Sequence, residues 1–187
     1  RCGPCADGHK IANAFEAANP PGDVVIINIH AGGYAAPASG YPNYTTNFGN
    51  ALVNQTNSGG YYPTGTANRH VFPGLGWTTG ATGMQRGQWV TAGNQILAQP
   101  SYVNVAAKST IDLASRELTV IVEAFYTGNG SNTNKLNVAL LQNNVEGFQV
   151  SASANPSQVL PNGNYNHMKM LRHLLTGQWG QTISNTS

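Results

Sequence analysis

Charge is what this sequence has least of. Of its 187 residues nine are Lys or Arg and seven are Asp or Glu, 9% together, against about 25% in an average soluble protein. The net charge of +2 is too small to point to a nucleic acid or an anionic membrane as partner. Long apolar runs are also lacking, since none approaches the ~20 residues of a membrane-crossing helix, so no transmembrane segment is expected. Cysteine is reduced to Cys2 and Cys5, too few for a disulfide framework. No initiator Met is present and the chain opens at Arg1. It is expected to be a processed or truncated piece, and the missing export signal then carries little weight.

Gly, Asn, Thr, Ser and Gln stand where charge would be. A surface held in water by amides and hydroxyls is more usual outside cells than in the cytosol. Apolar residues make up 40% of the chain, enough for one full domain and a second small one.

Ala6–Ala18 reads as a helix, with Ile11, Phe15 and Ala18 on one stripe. Pro4 suits its first turn, and Asn19-Pro20-Pro21-Gly22 stops it. Asp23–His30 follows as a β-branched apolar run, the pattern of a strand covered on both faces in a parallel sheet. A Gly- and Tyr-rich excursion comes next, with a short helix expected over Asn47–Gln55 and another over Gln88–Leu97. After Pro100 the pattern alternates, in Tyr102–Ala107, Leu118–Tyr126, Leu136–Leu141 and Phe148–Ala152, as antiparallel strands do. Helical spacing returns at Met168, Leu171 and Leu175. A domain boundary is placed near residue 100, giving 1–100 and 101–187.

Cys2-Gly3-Pro4-Cys5 carries the chemistry. A thiolate at a helix N-terminus is stabilised by free N–H groups and the helix dipole, which lowers its pKa and makes it nucleophilic. A second cysteine one turn on can resolve the mixed disulfide. A bridge over so short a loop adds little chain-entropy stabilisation. The same motif can be half of a zinc site, but no second CxxC exists and the five histidines are scattered. Neither a metal nor a cofactor is expected, while thiol exchange and an inert disulfide both remain open.

Cys-Gly-Pro-Cys before a helix and a buried strand resembles thioredoxin. The resemblance implies a cis-proline loop facing the cysteines, for which Tyr62-Pro63-Thr64 is the best match. Arg1 stands where thioredoxin has Trp, and its first strand would precede this chain. A wider likeness is carried by Arg1–His9, Ile27–Gly32, Tyr62–Gly65 with Asn68-Arg69, Leu140–Gln149 and Tyr165–His167 with Leu171-Arg172. On these segments the chain resembles the outer-membrane-protein-28 family of Bacteroidota. That implies an α/β architecture, a thioredoxin-like domain with its first strand truncated and then a small antiparallel, sandwich-like β-rich domain. It also implies export to the outer membrane or cell surface, with room for a lipid anchor upstream as in a lipoprotein.

The candidate catalytic set is therefore Cys2, Cys5 and Pro63, with Tyr62, Thr64 and His30 as candidate binding residues. His30 ends the strand at 23–30, and ligands gather at the carboxyl ends of such strands. His9, His167, His173 and Arg69 read as structural. The tyrosines at 34, 41, 44, 61 and 62 suit either a contact surface or loop packing. The expected function is a binding or assembly component of the cell envelope, with protein partners or self-association and the disulfide as a local clip. The alternative is an envelope thiol–disulfide oxidoreductase, Cys2 attacking and Cys5 resolving.

Overall fold

The computed structural model describes residues 2–37, 39–128 and 133–183. Three helices form, α1 (Cys5–Ala17), α2 (Gly49–Gln55) and α3 (Trp89–Leu97). The strands are β1 (Thr64–Gly65), β2 (Met84–Gln85), β3 (Val103–Asp112), β4 (Glu117–Tyr126) and β5 (Asn134–Leu136). Then come β6 (Ala139–Gln142), β7 (Val145–Gly147), β8 (Tyr165–His167), β9 (Met170–Leu174) and β10 (Gln181–Ile183). They pair antiparallel as β1–β2, β3–β4, β5–β10, β6–β9 and β7–β8. The mixture of helix and strand is the expected α/β composition.

The three helices lie within a residue or two of where periodicity and Pro/Gly punctuation put them. Asp7 in the first turn of α1 pairs with Arg86 at 2.5 Å, tying the helix to the turn before α3. A core of Phe72, Met84 and Ala92 is flanked by Leu75, Trp89 and Ile96. Helix α1 approaches α3 closely where Phe15 lies over Gly93: a Cβ there would sit 2.5 Å from the ring.

A second buried group comes from the C-terminal half, with Tyr165, His167, Met170 and Leu171 each at most 2% exposed. Burial of an apolar side chain such as Met170 or Leu171 contributes about 1.5–3 kcal/mol. This group is joined to the N-terminal half. Asn28 forms a parallel bridge with Met170, its N–H donating to the Lys169 carbonyl and its own carbonyl accepting from Leu171. Lys169 also pairs with Glu16 of α1.

Three stretches differ from the sequence expectation. Asp23 belongs to a turn and residues 24–30 form no strand, only a single bridge at Asn28. Their odd-numbered side chains are open, with Val25 69% exposed, because among the described residues no second strand lies along them. The 168–175 stretch is not helical: it contains β9, paired with β6 across a register shift between Leu140 and Leu141. Of the residues whose spacing suggested a helix, Leu171 is buried in β9 while Leu175, just past its end, is 44% exposed, so they do not share one buried face. Phe148–Ala152 is a turn entering a 3₁₀ segment rather than a strand, with Ser151 left-handed at φ 54°.

The β3–β4 hairpin runs longer than expected, ten residues per strand in unbroken register from Val103–Tyr126 to Asp112–Glu117. Its base is held where Thr127 N–H donates to the Tyr102 carbonyl at 2.8 Å and the Tyr102 hydroxyl donates to Asn134 at 2.5 Å. No residue of either strand is buried.

Candidate functional site

Cys2 and Cys5 are joined as a disulfide with Cα atoms 5.4 Å apart. Pro4 occupies the N-cap position and Cys5 opens α1, so the pair sits at the helix N-terminus as the motif requires. Cys2, expected as the attacking thiol, is the more buried of the two at 9% exposure, while Cys5 is half-buried. The turn after β7 holds the backbone of this segment: Gln149 Nε2 donates to the Cys2 carbonyl at 2.8 Å, and Ser151 Oγ lies near Gly3.

The Tyr62–Pro63 peptide bond is cis, and Pro63 packs on α1 one turn beyond Cys5. A Cβ on Gly8 would lie 3.3 Å from the proline ring and 3.1 Å from Trp89. Tyr62 turns away to lie over Gly32, where a Cβ would be 2.3 Å from its hydroxyl. Gly32 has φ +70°, so both backbone and space call for glycine there. Burial raises the Tyr62 phenol above its ordinary pKa. Thr64 is in β1 opposite Gln85, its buried hydroxyl without a hydrogen-bond partner among the described residues. Pro63 is thus placed on the helix that carries the disulfide, whereas Tyr62 faces a different loop.

His30 belongs to a cluster that sequence spacing does not reveal. Its ring centroid is 5.4 Å from that of His167 on β8, which in turn is 6.4 Å from that of His9 on α1. Tyr44 and Tyr165 close the group, at 4.6 Å and 5.0 Å from His167. Tyr165 is anchored, its hydroxyl accepting from Asn155 Nδ2 at 2.9 Å and lying 3.1 Å from His9 Nδ1. His167, 1% exposed, has neither ring nitrogen in a hydrogen bond of good geometry, although the Phe148 backbone acts on it electrostatically.

Desolvation lowers all three imidazoles, His9 to about 4, His30 to about 3 and His167 to about 4. For His30 the mutual repulsion with His167, His9 and Arg172 adds to it. At neutral pH the cluster is therefore uncharged. Such rings are in the metal-ligating form, but among the described residues no three His, Cys, Asp or Glu side chains converge on a cation position. A cavity of about 30 Å³ lies beside it, lined by His30, Tyr34, Tyr44, Phe148, Gln149 and His167 among others. Gln149 thus touches both this cavity and the disulfide segment.

The sequence reading missed His9 and His167 as members of this group, and Gln149 and Ser151 as neighbours of the Cys2–Gly3 backbone. No local pattern marks them, since they are brought in by β7, β8 and the turns around them. Arg69, backbone φ 54°, lines an open polar cleft of about 420 Å³ with Gln55, Lys135 and Trp179. No helix of the described chain is long and apolar enough to cross a membrane. The chain matches no protein family, no curated protein and no solved structure.

Proposed function

We propose that this chain is a binding or assembly component of a bacterial cell envelope, exported, with protein partners or self-association as its working contact. On this reading its frame is thioredoxin-like, of the kind found in the outer-membrane-protein-28 family of Bacteroidota, and the Cys2–Cys5 bridge is a local clip. The observation that carries it is the β3–β4 hairpin, where Val105 and Ile111, on one face with Ala107, Val122 and Leu118, are each at least 60% exposed. Contiguous exposed apolar surface on a folded protein marks an interaction site. The burial of Cys2, 9% exposed, supports the clip, because exchange needs a foreign thiolate to reach a sulfur directly.

Pro63 against α1 favours a second reading, an envelope thiol–disulfide oxidoreductase. Titration of the pair against glutathione or dithiothreitol separates the two. A clip gives a potential below about −300 mV, and a working exchanger one between roughly −120 and −270 mV. Insulin reduction that disappears in Cys2→Ser would sink the clip.

A further inference from the structure

The polar cleft of about 420 Å³ lies where the two halves of the chain meet. Gln55 at the end of α2 and Arg69 come from the first half, and Asn134, Lys135, Asn137 and Trp179 from the second. Two tight turns set its walls. In the first, His70 N–H donates to the Ala67 carbonyl at 3.0 Å, with Asn68 at φ 48° and Arg69 at φ 54°. Left-handed backbone is unfavourable for a side chain such as arginine, and it persists only where the surroundings fix it. In the second, Gly180 N–H donates to the Gly177 carbonyl at 3.3 Å, and both glycines are left-handed. Gly180 lies so close to β5 that a Cβ would fall 2.6 Å from the Leu136 carbonyl oxygen. Trp179 is carried inside this turn, pinned through its backbone, yet is 44% exposed.

The charge of this lining is unbalanced. Arg69 and Lys135 are two of only nine cations in the chain, and no carboxylate lines the cleft. Neither of them is in an ion pair among the described residues. Two like charges on one volume repel, and an anion bound there removes that cost. Three amides, of Gln55, Asn134 and Asn137, stand around them. Asn137 Oδ1 is enclosed with no hydrogen-bond partner among the described residues, which costs stability until a donor reaches it. The indole of Trp179 adds a flat apolar face. We propose that this cleft binds an acidic saccharide of the hexuronate type. Arg69 and Lys135 take its carboxylate, the amides its hydroxyls, and Trp179 the C–H face of the sugar ring. The planar fork of an arginine matches a carboxylate. Hydroxyls both donate and accept, as amides do. A bare inorganic anion would use the cations and leave the amides and the indole idle. The volume is within the small-molecule range of about 300–1,000 Å³. This site shares no residue with β3 or β4 and goes beyond the assembly reading above.

Isothermal titration of the whole chain with digalacturonate at low salt tests this, with tryptophan emission followed in parallel. Binding is expected with a dissociation constant on the order of 0.1 mM, as suits a small ligand in an open cleft. It is expected to weaken as sodium chloride is raised, and the neutral disaccharide cellobiose to bind roughly tenfold more weakly. Trp179→Ala is expected to lose roughly tenfold in affinity and to abolish the emission change, although Trp77 and Trp89 remain. Arg69→Asn removes the charge and keeps a residue that tolerates left-handed backbone, and Lys135→Gln removes the other charge from an exposed position. Each is expected to erase the preference for digalacturonate over cellobiose. Lys108→Gln, a cation removed from the hairpin, is expected to change nothing. Circular dichroism reads the fold of each variant, and a loss of binding counts only at an unchanged spectrum. If Arg69→Asn does not fold, Lys135→Gln carries the charge test. No binding at about 10 mM, far above the expected constant, overturns the proposal. So does cellobiose bound as tightly as digalacturonate, or binding indifferent to Trp179→Ala. Sulfate that matches digalacturonate in affinity shows an anion site only and overturns the saccharide.

Discussion

Trp89 lies with its indole against two glycines, Gly8 of α1 and Gly65 of β1, and donates its Nε1–H to the Met84 carbonyl at 3.0 Å. A Cβ at Gly65 would fall 2.5 Å from the indole, and a ring held by core contacts and a hydrogen bond has little freedom to yield. Gly65→Ala is therefore expected to destabilise by about 1–3 kcal/mol, read as a lowered denaturant midpoint. Gly87→Ala, where a Cβ meets open space, is expected to be neutral or to stabilise by up to about 1 kcal/mol. The histidines make a prediction about acid. The folded-state pKa of His167 is depressed to about 4 from 6.5, so below pH 6.5 the unfolded chain binds the proton that the folded chain refuses. Stability is then complete above about pH 6.5 and is lost as pH falls towards 4, approaching about 1.4 kcal/mol per pH unit for this group. Urea midpoints at neutral and acid pH measure the slope, and His167→Gln, if it folds, is expected to flatten it.

Asn28 shows what one pairing does at the scale of an element. Its backbone bonds to both Lys169 and Leu171, and its side-chain Nδ2 donates to the Met168 carbonyl at 2.8 Å. Asn28→Ala keeps the backbone bonds and loses the third, so a destabilisation of about 1 kcal/mol is expected, again from the denaturant midpoint. The elements legible in the sequence were those whose local signals agree with one another. α1 has an apolar stripe ending in a double proline, and β3 and β4 are rich in β-branched residues with partial alternation. Those that were not legible depend on a distant neighbour. The spacing of Met168, Leu171 and Leu175 suggested a helix, but pairing with β6 makes 170–174 a strand and leaves Leu175 exposed beyond it. Residues 23–30 have the composition of a central strand, but a strand forms only as far as partners lie along it. Of the candidate site, the cysteines at a helix start could be read from motif and spacing, and the proline loop was implied by the resemblance to thioredoxin. The histidine group could not, because its members are separated by 21 and 137 positions along the chain, from His9 to His30 and on to His167.

At the scale of the whole molecule, the hairpin and the remainder are nearly independent. The chain leaves and rejoins at Tyr102 and Thr127, which are hydrogen-bonded to each other, so residues 103–126 can be replaced by a short turn. That deletion is expected to shift the thermal midpoint by only a few degrees and, on the assembly reading, to abolish self-association, checked by calorimetry and sedimentation together. By contrast α1 and β8–β9 share the histidine cluster and the Glu16–Lys169 pair, so tryptophan fluorescence and far-ultraviolet dichroism are expected to report coincident unfolding. What the sequence by itself determined is what composition and short-range period control: a charge-poor surface, three helices, alternating strands after Pro100 and a CxxC at a helix start. Only the tertiary structure decided that Gln149 bonds the Cys2 carbonyl, that three histidines meet uncharged, and that the apolar side chains of the hairpin are left open. Each of those depends on which distant segments pair and what they exclude from water, and burial of that kind is set by three-dimensional neighbours that no local pattern encodes.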